Sequence, residues 1–202
     1  MAEPTLYVER FSRTERAVHW VHAAAFFVLL GSGLVLYLPA LADRIGRRPF
    51  LKDVHVYTAV AWLVALGLIV RLGDRRGLRR TVRDLEWFDE DDRGWLRGRR
   101  TPQGRFNAGQ KLNAAVSAGL AALFAISGFL LWLGERNTSY RFANTVLVHD
   151  WLMWVSLVLL VGHLYLAVIH PATRHAMRGI TRGSVSYDWA EAHHPKWVKR
   201  PD

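Results

Sequence analysis

Four long apolar segments constrain the fold of this 202-residue chain more than any other feature. They cover residues 17–38, 54–72, 112–133 and 146–169. Each is close to the roughly 20 residues that a helix needs to cross the hydrocarbon of a membrane. Because backbone N–H and C=O groups must all be paired in lipid, such segments have to be helical. The sequence therefore predicts an all-α membrane protein, a four-transmembrane-helix bundle forming a single domain over residues 1–202.

The distribution of positive charge predicts how these helices cross the membrane. The chain has 27 Lys and Arg residues and a formal net charge of +10. Only six of these cations lie in the first and third connections; the others are in the N-terminal arm, in the second connection with its loop of residues 73–111, and in the tail of residues 171–202. The positive-inside rule then places both termini in the cytoplasm.

Composition excludes several kinds of site and partner. The chain contains no cysteine, so it cannot attach c-type haem, bind an iron–sulfur cluster through thiolates or form a disulfide. An iron–sulfur cluster that exchanged electrons with it would belong to a partner subunit. Its cations alternate with apolar runs and form no basic patch interleaved with aromatic residues, so we expect no nucleic-acid binding.

Histidines at the ends of the apolar segments are the strongest functional signal. His149 and His163 lie fourteen residues apart on the fourth segment. In an α-helix this interval corresponds to about 21 Å along the axis and about 40° short of four full turns, so both imidazoles face the same way at different depths. The predicted topology matches His55 with His149 on the outer side and His19 with His163 on the inner side.

Two such pairs can hold two haem irons, each with both axial positions filled by imidazole. Filled axial positions favour electron transfer over the binding of oxygen or substrate. Without cysteine the haems would be b-type. His22 lies only about 60° around the first helix from His19, so spacing alone allows either residue as the inner ligand. Solvated histidines at helix ends are the alternative for any one of them.

Other residues near the predicted haems have weaker signals. Asp53 and Asp150 could orient the outer imidazoles, although Asp53 is equally suited to capping a helix. Glycines in the first three segments would allow close approach of a helix or a flat macrocycle; they are Gly31, Gly33, Gly67, Gly119 and Gly128. We interpret His170 as structural and exclude His175, His193 and His194 from the haem ligands.

Two polar stretches add further expectations. In the second connection, the acidic and aromatic residues 84–89 are compatible with an interfacial helix. At the start of the third segment, residues 106–111 read Phe-Asn-Ala-Gly-Gln-Lys. Amide side chains and backbone N–H groups can bind the carbonyls of a quinone, and a solvated helix cap is the alternative. The tail suits either the cytoplasmic face, a partner or solvent.

Over nearly its whole length the chain resembles the cytochrome b (gamma) subunit of respiratory formate dehydrogenase, within the di-haem cytochrome b membrane subunits. The matching motifs are Arg-Ala-Val-His-Trp at 16–20, the histidine that opens the second segment, residues 106–111, the His149 and His163 pair, and Trp189 followed by His-His-Pro at 193–195.

The resemblance implies two haem b groups, bound by His55 and His149 on the outer side and by His19 and His163 on the inner side. It selects His19 over His22, and it implies a menaquinone site at Asn107, Gly109, Gln110 and His163. Its further implications are an iron–sulfur subunit, a molybdenum or tungsten catalytic subunit, a trimer of such heterotrimers, and a multi-pass location in a bacterial inner membrane. This chain would relay electrons from formate oxidation without catalysing it.

Three alternatives differ in class. The chain could serve another molybdoenzyme or a hydrogenase with the same haems. It could be a transporter whose histidines bind a metal or relay protons. It could also be an inert anchor that tolerates the loss of every histidine.

Overall fold

The structure, a computed structural model, describes residues 5–198. Four helices are long and apolar enough to cross a membrane. They are α1 (Arg13–Tyr37), α3 (Arg48–Leu72), α6 (Ala108–Arg136) and α7 (Thr145–Leu164), and α7 continues as a π-helix over Tyr165–Ile169. The predicted all-α membrane fold with four transmembrane helices is confirmed.

The helices begin before the apolar segments because polar residues and proline form their first turns. At the start of α1 the Ser12 amide donates to Glu15 Oε2 (2.7 Å), and the Glu15 amide donates to Ser12 Oγ (3.3 Å). This reciprocal pair is a capping box. Pro49 lies in the first turn of α3, where a missing N–H loses no helical hydrogen bond. Hydropathy alone detects only the apolar middle of each helix.

The first connection contains a short helix that we did not predict, α2 (Pro39–Ile45). Pro39 is in its first turn, and Gly46 ends it with a φ of +65°. This left-handed conformation favours glycine, which has no Cβ to clash with the backbone.

The second connection folds into α4 (Arg75–Glu86) and α5 (Glu90–Leu96). The expectation of one interfacial helix over residues 84–89 is wrong, because α4 stops at Glu86 and a new helix begins after Asp89. Asp89 and Asp92 form a capping box, in which each carboxylate accepts from the other residue's amide (2.9 and 3.0 Å). The acidic residues therefore cap a helix and do not form its middle.

The tail pairs with the N-terminal arm in a small sheet that the sequence did not predict. Strand β1 (Tyr7–Glu9) lies antiparallel to β2 (Ser184–Ser186), with Val8 opposite Val185. Helix α8 (Met177–Arg182) precedes β2, and α9 (Tyr187–His193) follows it. Val185 and Ala190 are buried, so the described part of the tail is packed and not simply solvated.

The described residues divide into two compact units. The polar unit contains residues 5–16, 74–119 and 159–198, and the apolar unit contains residues 17–73 and 120–158. Along α3, which is described throughout, no residue is buried. Exposed apolar side chains on such a helix suit contact with lipid. The single domain over residues 1–202 and the cytoplasmic location of both termini stay predictions.

Candidate functional site

The first histidine pair, His55 on α3 and His149 on α7, comes together in the apolar unit. The two imidazole centroids are 6.2 Å apart, and the ring planes are inclined at 68°. The Phe124 ring on α6 contacts His149 edge-on, with centroids 5.2 Å apart. The structure therefore brings together two side chains that are far apart in the sequence and that we predicted to share one iron.

Each imidazole in this pair meets a serine through its Nδ1 atom. Ser32 Oγ on α1 is 2.9 Å from His55 Nδ1, and Ser127 Oγ on α6 is 2.8 Å from His149 Nδ1. Both serine hydroxyls also lie 2.7 Å from a carbonyl oxygen one turn earlier in their own helix. Because the hydroxyl can donate its one hydrogen to that carbonyl, its oxygen is left to accept from Nδ1–H. In that arrangement Nε2 of each histidine retains its lone pair.

These contacts correct the expectation that Asp53 and Asp150 orient the imidazoles. That expectation is wrong, because the Nδ1 atoms are bonded to the serine hydroxyls. Asp53 and Asp150 lie on the same helices as His55 and His149, whereas each serine reaches its histidine from a neighbouring helix. Sequence reasoning missed the serines; the available signal was the Ser-Gly dipeptide that precedes each histidine by 22 or 23 residues.

Glycines open space beside the same two rings. A Cβ built at Gly33 would lie 3.4 Å from Cε1 of His55, and one at Gly128 would lie 3.6 Å from Cε1 of His149. The other three glycines noted in the sequence, at positions 31, 67 and 119, have open space beside them. Two of the five glycines that we predicted to allow close approach, Gly33 and Gly128, therefore lie beside a histidine ring.

The geometry of the first pair fits an iron with two axial imidazoles. Metal–nitrogen bonds of about 2 Å on both sides would separate the two ring centroids by roughly 6 Å, and the observed separation is 6.2 Å. Within residues 5–198, no group of three or more His, Cys, Asp or Glu side chains is placed to hold a metal ion. The pair thus fits haem better than a metal site built only from protein ligands, which needs three or four of them.

The second histidine pair that we predicted is His19 and His163. His19 lies in the second turn of α1, and His163 lies in the last turn of α7. They belong to different units, so their pairing stays a prediction. His22 packs on Trp62 of α3, with ring centroids 5.5 Å apart. An aromatic contact of this kind gives His22 a packing role that needs no iron.

A π-helix follows His163 immediately, over Tyr165–Ile169. It ends with the His170 amide donating to the Tyr165 carbonyl oxygen (2.9 Å). Single turns of π-helix occur frequently at functional sites. Pro171 signals the end of the helix in the sequence, but no sequence signal distinguishes a π turn from an α turn.

In the polar unit, Asn107 and Gln110 cap the start of α6. The Gln110 amide donates to Asn107 Oδ1 (2.9 Å), and the Asn107 amide donates to Gln110 Oε1 (3.1 Å). This exchange uses the oxygen of each side chain and leaves the NH₂ groups as donors. At Gly109, an added Cβ would lie 2.9 Å from the Trp95 ring. Asn107, Gly109 and Gln110 therefore lie together at the start of α6, where Asn107 and Gln110 form the cap.

Arg10 connects this cap to the tail. Its Nη2 atom donates to Gln110 Oε1 (3.2 Å), to the Arg105 carbonyl oxygen (2.9 Å) and to His194 Nε2 (3.2 Å). The guanidinium is buried, with its carbon 5.1 Å from the Trp189 ring centroid. Burial, with a smaller contribution from the Arg105 charge, lowers the pKa of Arg10 to about 10.

His194 completes this cluster from the tail. Its Nδ1 donates to the Gly104 carbonyl oxygen (2.7 Å), which leaves Nε2 to accept from Arg10. The side chain is buried. Burial first, and then the positive charge of Arg10, lowers the pKa of His194 to about 4. Sequence reasoning missed this contact between residues 184 positions apart; the His-His-Pro motif was the available signal.

Comparison with known proteins identifies the family. A family model described as prokaryotic cytochrome b561 matches residues 10–183. The chain belongs to this family. Membership implies haem b as the cofactor, in agreement with the geometry of His55 and His149.

Curated relatives of this cytochrome b are named as formate dehydrogenase subunits. The Escherichia coli K12 protein named formate dehydrogenase, cytochrome b556(fdo) subunit, is 24% identical over 201 residues, covering 95% of this chain and 92% of the relative. The nitrate-inducible cytochrome b556(Fdn) subunit of the same organism is 22% identical, covering 92% and 87%. The formate dehydrogenase cytochrome b556 subunit of Haemophilus influenzae is 22% identical, covering 91% and 79%.

These likenesses confirm several predictions made from the sequence. The resemblance to formate dehydrogenase cytochrome b subunits is confirmed over most of the chain. The chain is a cytochrome b electron-transfer subunit of the membrane, and its multi-pass location in the inner membrane is also confirmed.

Proposed function

We propose that this cytochrome b is the membrane-anchoring, di-haem subunit of a formate dehydrogenase. In this proposal it relays electrons from an iron–sulfur partner subunit on the outer side of the membrane to menaquinone near the cytoplasmic side. The observation that carries the proposal is the opposed imidazole pair of His55 and His149, 6.2 Å apart and each held by a serine.

The residues around this pair suit electron transfer. Bound haem would supply a one-electron iron couple in a protein that has no cysteine to bind an iron–sulfur cluster of its own. His55 and His149 would hold the haem iron through their imidazoles, and binding by two histidines favours electron transfer over the binding of oxygen or substrate. Their Nδ1 atoms are already occupied by the serines, which leaves Nε2 as the nitrogen that would bind the iron.

A second haem at His19 and His163 would complete the electron path. The fourteen-residue interval between His149 and His163 places both on one face of α7, about 21 Å apart along the helix axis. The resemblance to formate dehydrogenase cytochrome b subunits supports His19 as the ligand on α1, because His19 is the histidine of the Arg-Ala-Val-His-Trp motif at 16–20.

For menaquinone we propose Asn107, Gly109, Gln110 and His163. The capping exchange between Asn107 and Gln110 leaves their amide NH₂ groups able to donate to quinone carbonyls. Gly109 provides one of the first backbone N–H groups of α6, which have no carbonyl one turn earlier within the helix. The charge of Arg10, 3.2 Å from Gln110 Oε1, would favour the negative charge of a reduced quinone.

The partners follow from the relatives and from the charge distribution. The relatives are named as formate dehydrogenase subunits, which supports an iron–sulfur subunit and a catalytic subunit as partners. We propose molybdenum or tungsten in the catalytic subunit and a trimer of such heterotrimers as the assembly. The positive-inside rule supports cytoplasmic termini, and hence proton uptake for quinone reduction from the cytoplasm. Electrons would then move inward across the membrane.

A cytochrome b that serves another molybdoenzyme or a hydrogenase is the second candidate. It keeps both haems and changes only the donor, so the histidine geometry supports it equally. The transporter is less favoured, because the histidines meet as a pair with serine partners and, within residues 5–198, in no larger group of metal ligands.

The test begins with haem content. Protein purified in detergent should give about two haem b per chain in a pyridine haemochrome assay. Membranes containing the full complex should then reduce menaquinone with formate as donor. Two haems without formate-dependent reduction would shift the assignment to another donor enzyme. A folded, haem-supplied preparation that binds none would reject the electron relay.

A further inference from the structure

The histidines of the first pair are supported in matching ways by two Ser-Gly dipeptides. Ser32 and Gly33 on α1 both contact His55 on α3, and Ser127 and Gly128 on α6 both contact His149 on α7. The serine precedes its histidine by 23 residues in the first case and by 22 in the second. Two consecutive pairs of helices thus repeat one local arrangement, although no repeat is evident in the sequence.

The hydrogen bonds of the two serines have one consistent assignment. Ser32 and Ser127 are 7% and 5% exposed, so water does not compete for their hydroxyl groups. The hydroxyl of Ser32 lies 2.7 Å from the Val28 carbonyl oxygen, and that of Ser127 lies 2.7 Å from the Leu123 carbonyl oxygen. A carbonyl can only accept, so each hydroxyl donates to it and accepts from the imidazole Nδ1–H.

We propose that Ser32 and Ser127 are positioning residues that fix the tautomer, ring orientation and basicity of His55 and His149 as haem ligands. This inference rests on the proposed function. A hydrogen bond accepted from the second ring nitrogen raises the basicity of a metal-bound imidazole. A more basic ligand favours ferric over ferrous iron, so the serines should lower the midpoint potential of this haem.

The inference differs from a role in helix packing alone. A serine in an apolar helix can donate its hydroxyl hydrogen only to the carbonyl four residues earlier. Its replacement by alanine would then leave the haem unchanged. Threonine at positions 32 and 127 provides the matched control, because it keeps a hydroxyl that can accept from the imidazole Nδ1–H.

The experiment compares Ser32→Ala, Ser127→Ala and the double variant with Ser32→Thr and Ser127→Thr in the purified, haem-loaded full chain. Redox titration should show a higher midpoint potential for one of the two haems. At a fixed potential its ferrous-to-ferric ratio should rise by at most about fivefold for each serine removed, because only the difference in hydrogen-bond strength between the ferric and ferrous states changes the potential. The low-spin EPR signal of the same haem should shift, and the threonine variants should match the unsubstituted protein in both measurements.

Threonine variants guard against loss of folding. Ser32→Thr and Ser127→Thr retain the hydroxyl and should keep the original potential. Loss of haem from the alanine variants but not from the threonine variants would also support positioning. The inference is overturned if the alanine variants keep the potential and EPR signal of the unsubstituted protein.

Failure of the proposed function gives a different result. An unsubstituted chain that lacks haem would reject the proposed function. A His149→Ala variant that retains both haems with unchanged spectra would show that His149 does not bind the iron. Normal haem binding at His55 and His149 with insensitive serines would reject only the inference.

Discussion

The two units stabilise their functional side chains by different means. In the apolar unit, His55 and His149 each have one neutral hydrogen bond to a serine. In the polar unit, Asn107 and Gln110 belong to a network that includes Arg10 and His194. A neutral imidazole needs only one partner, whereas a buried charge needs several to offset its lost hydration. We therefore expect a substitution at the histidine pair of the apolar unit to change haem binding, and a substitution at a buried charge of the polar unit to change the free energy of unfolding.

The largest effect should come from His149→Ala, which removes an iron ligand from the apolar unit. We expect haem content to fall by about half, since the second pair keeps its histidines. Formate-dependent menaquinone reduction should fall more than about 100-fold, because electrons would lose their entry site. Haemochrome assays and quinol formation measure these two effects. His175→Ala, at an exposed position of the tail, is the control; normal quinone reduction by His149→Ala would contradict the assignment.

Lys111→Met should damage the polar unit and spare the haem at the first pair. Lys111 Nζ is 2.5 Å from Asp92 Oδ2, and both side chains are more than nine-tenths buried. Breaking a buried pair leaves one charge without compensation and typically costs about 3–5 kcal/mol. Tryptophan fluorescence during urea denaturation should record this loss.

The control for that variant is Lys196→Met. Lys196 pairs with Asp89 at 2.7 Å and also with Asp91, but all three side chains are at least 32% exposed. An exposed pair contributes at most about 1 kcal/mol. Equal destabilisation by the two substitutions would show that burial does not distinguish these ion pairs.

Acid should loosen the polar unit through His194. Because burial and Arg10 lower its pKa to about 4, His194 stays neutral in the folded protein at pH values where the unfolded chain is already protonated. Its contribution to stability is therefore complete above about pH 6.5 and is lost as the pH falls toward 4. The ratio of unfolded to folded polar unit should be roughly tenfold or more higher at pH 5 than at pH 7.

This pH dependence can be measured by the fluorescence of Trp189 and Trp197, whose rings contact His194. The charged and titratable groups beside His194 are Arg10 and His193. His194→Gln keeps polar atoms at this position but has no group that titrates in this range. The stability of this variant should therefore not change between pH 7 and pH 5. An unchanged pH profile in that variant would assign the transition to another group.

The sequence predicted the elements whose signal lies within one segment. Hydropathy located the four transmembrane helices, and histidines at the ends of the apolar segments indicated the contact between His55 and His149. The sequence did not predict Ser32 or Ser127, because a hydroxyl that reaches a neighbouring helix has no periodic pattern. The pairing of β1 with β2 and the contact of Arg10 with His194 were missed for the same reason, since each joins residues more than 170 positions apart.

Substitutions of Asn107 can distinguish a role as a helix cap from a contact with the quinone. Asn107→Asp keeps an oxygen that can accept from the Gln110 amide, so the cap of α6 should survive. It removes the NH₂ donor that we assign to the quinone carbonyl. We expect both haems to remain and menaquinone reduction to fall about tenfold, close to the loss of one hydrogen bond to a bound ligand. Steady-state quinol formation with haem spectra measures this.

Asn107→Ala removes the cap as well as the donor, and should cost about 1 kcal/mol of stability in addition. If Asn107→Asp reduces menaquinone normally while Asn107→Ala is impaired, the residue acts only as a helix cap.

The smallest effect should distinguish the two glycines of the first pair. A Cβ at position 33 would lie 3.4 Å from the His55 ring, and one at position 128 would lie 3.6 Å from the His149 ring. The first distance is at the tight limit of ordinary contact, so Gly33→Ala should move its imidazole slightly, whereas Gly128→Ala should be accommodated. We expect full haem content in both and a small EPR shift only in Gly33→Ala. A larger shift in Gly128→Ala would mean that the ring of His149, with its serine and phenylalanine neighbours, is the more tightly held of the two ligands.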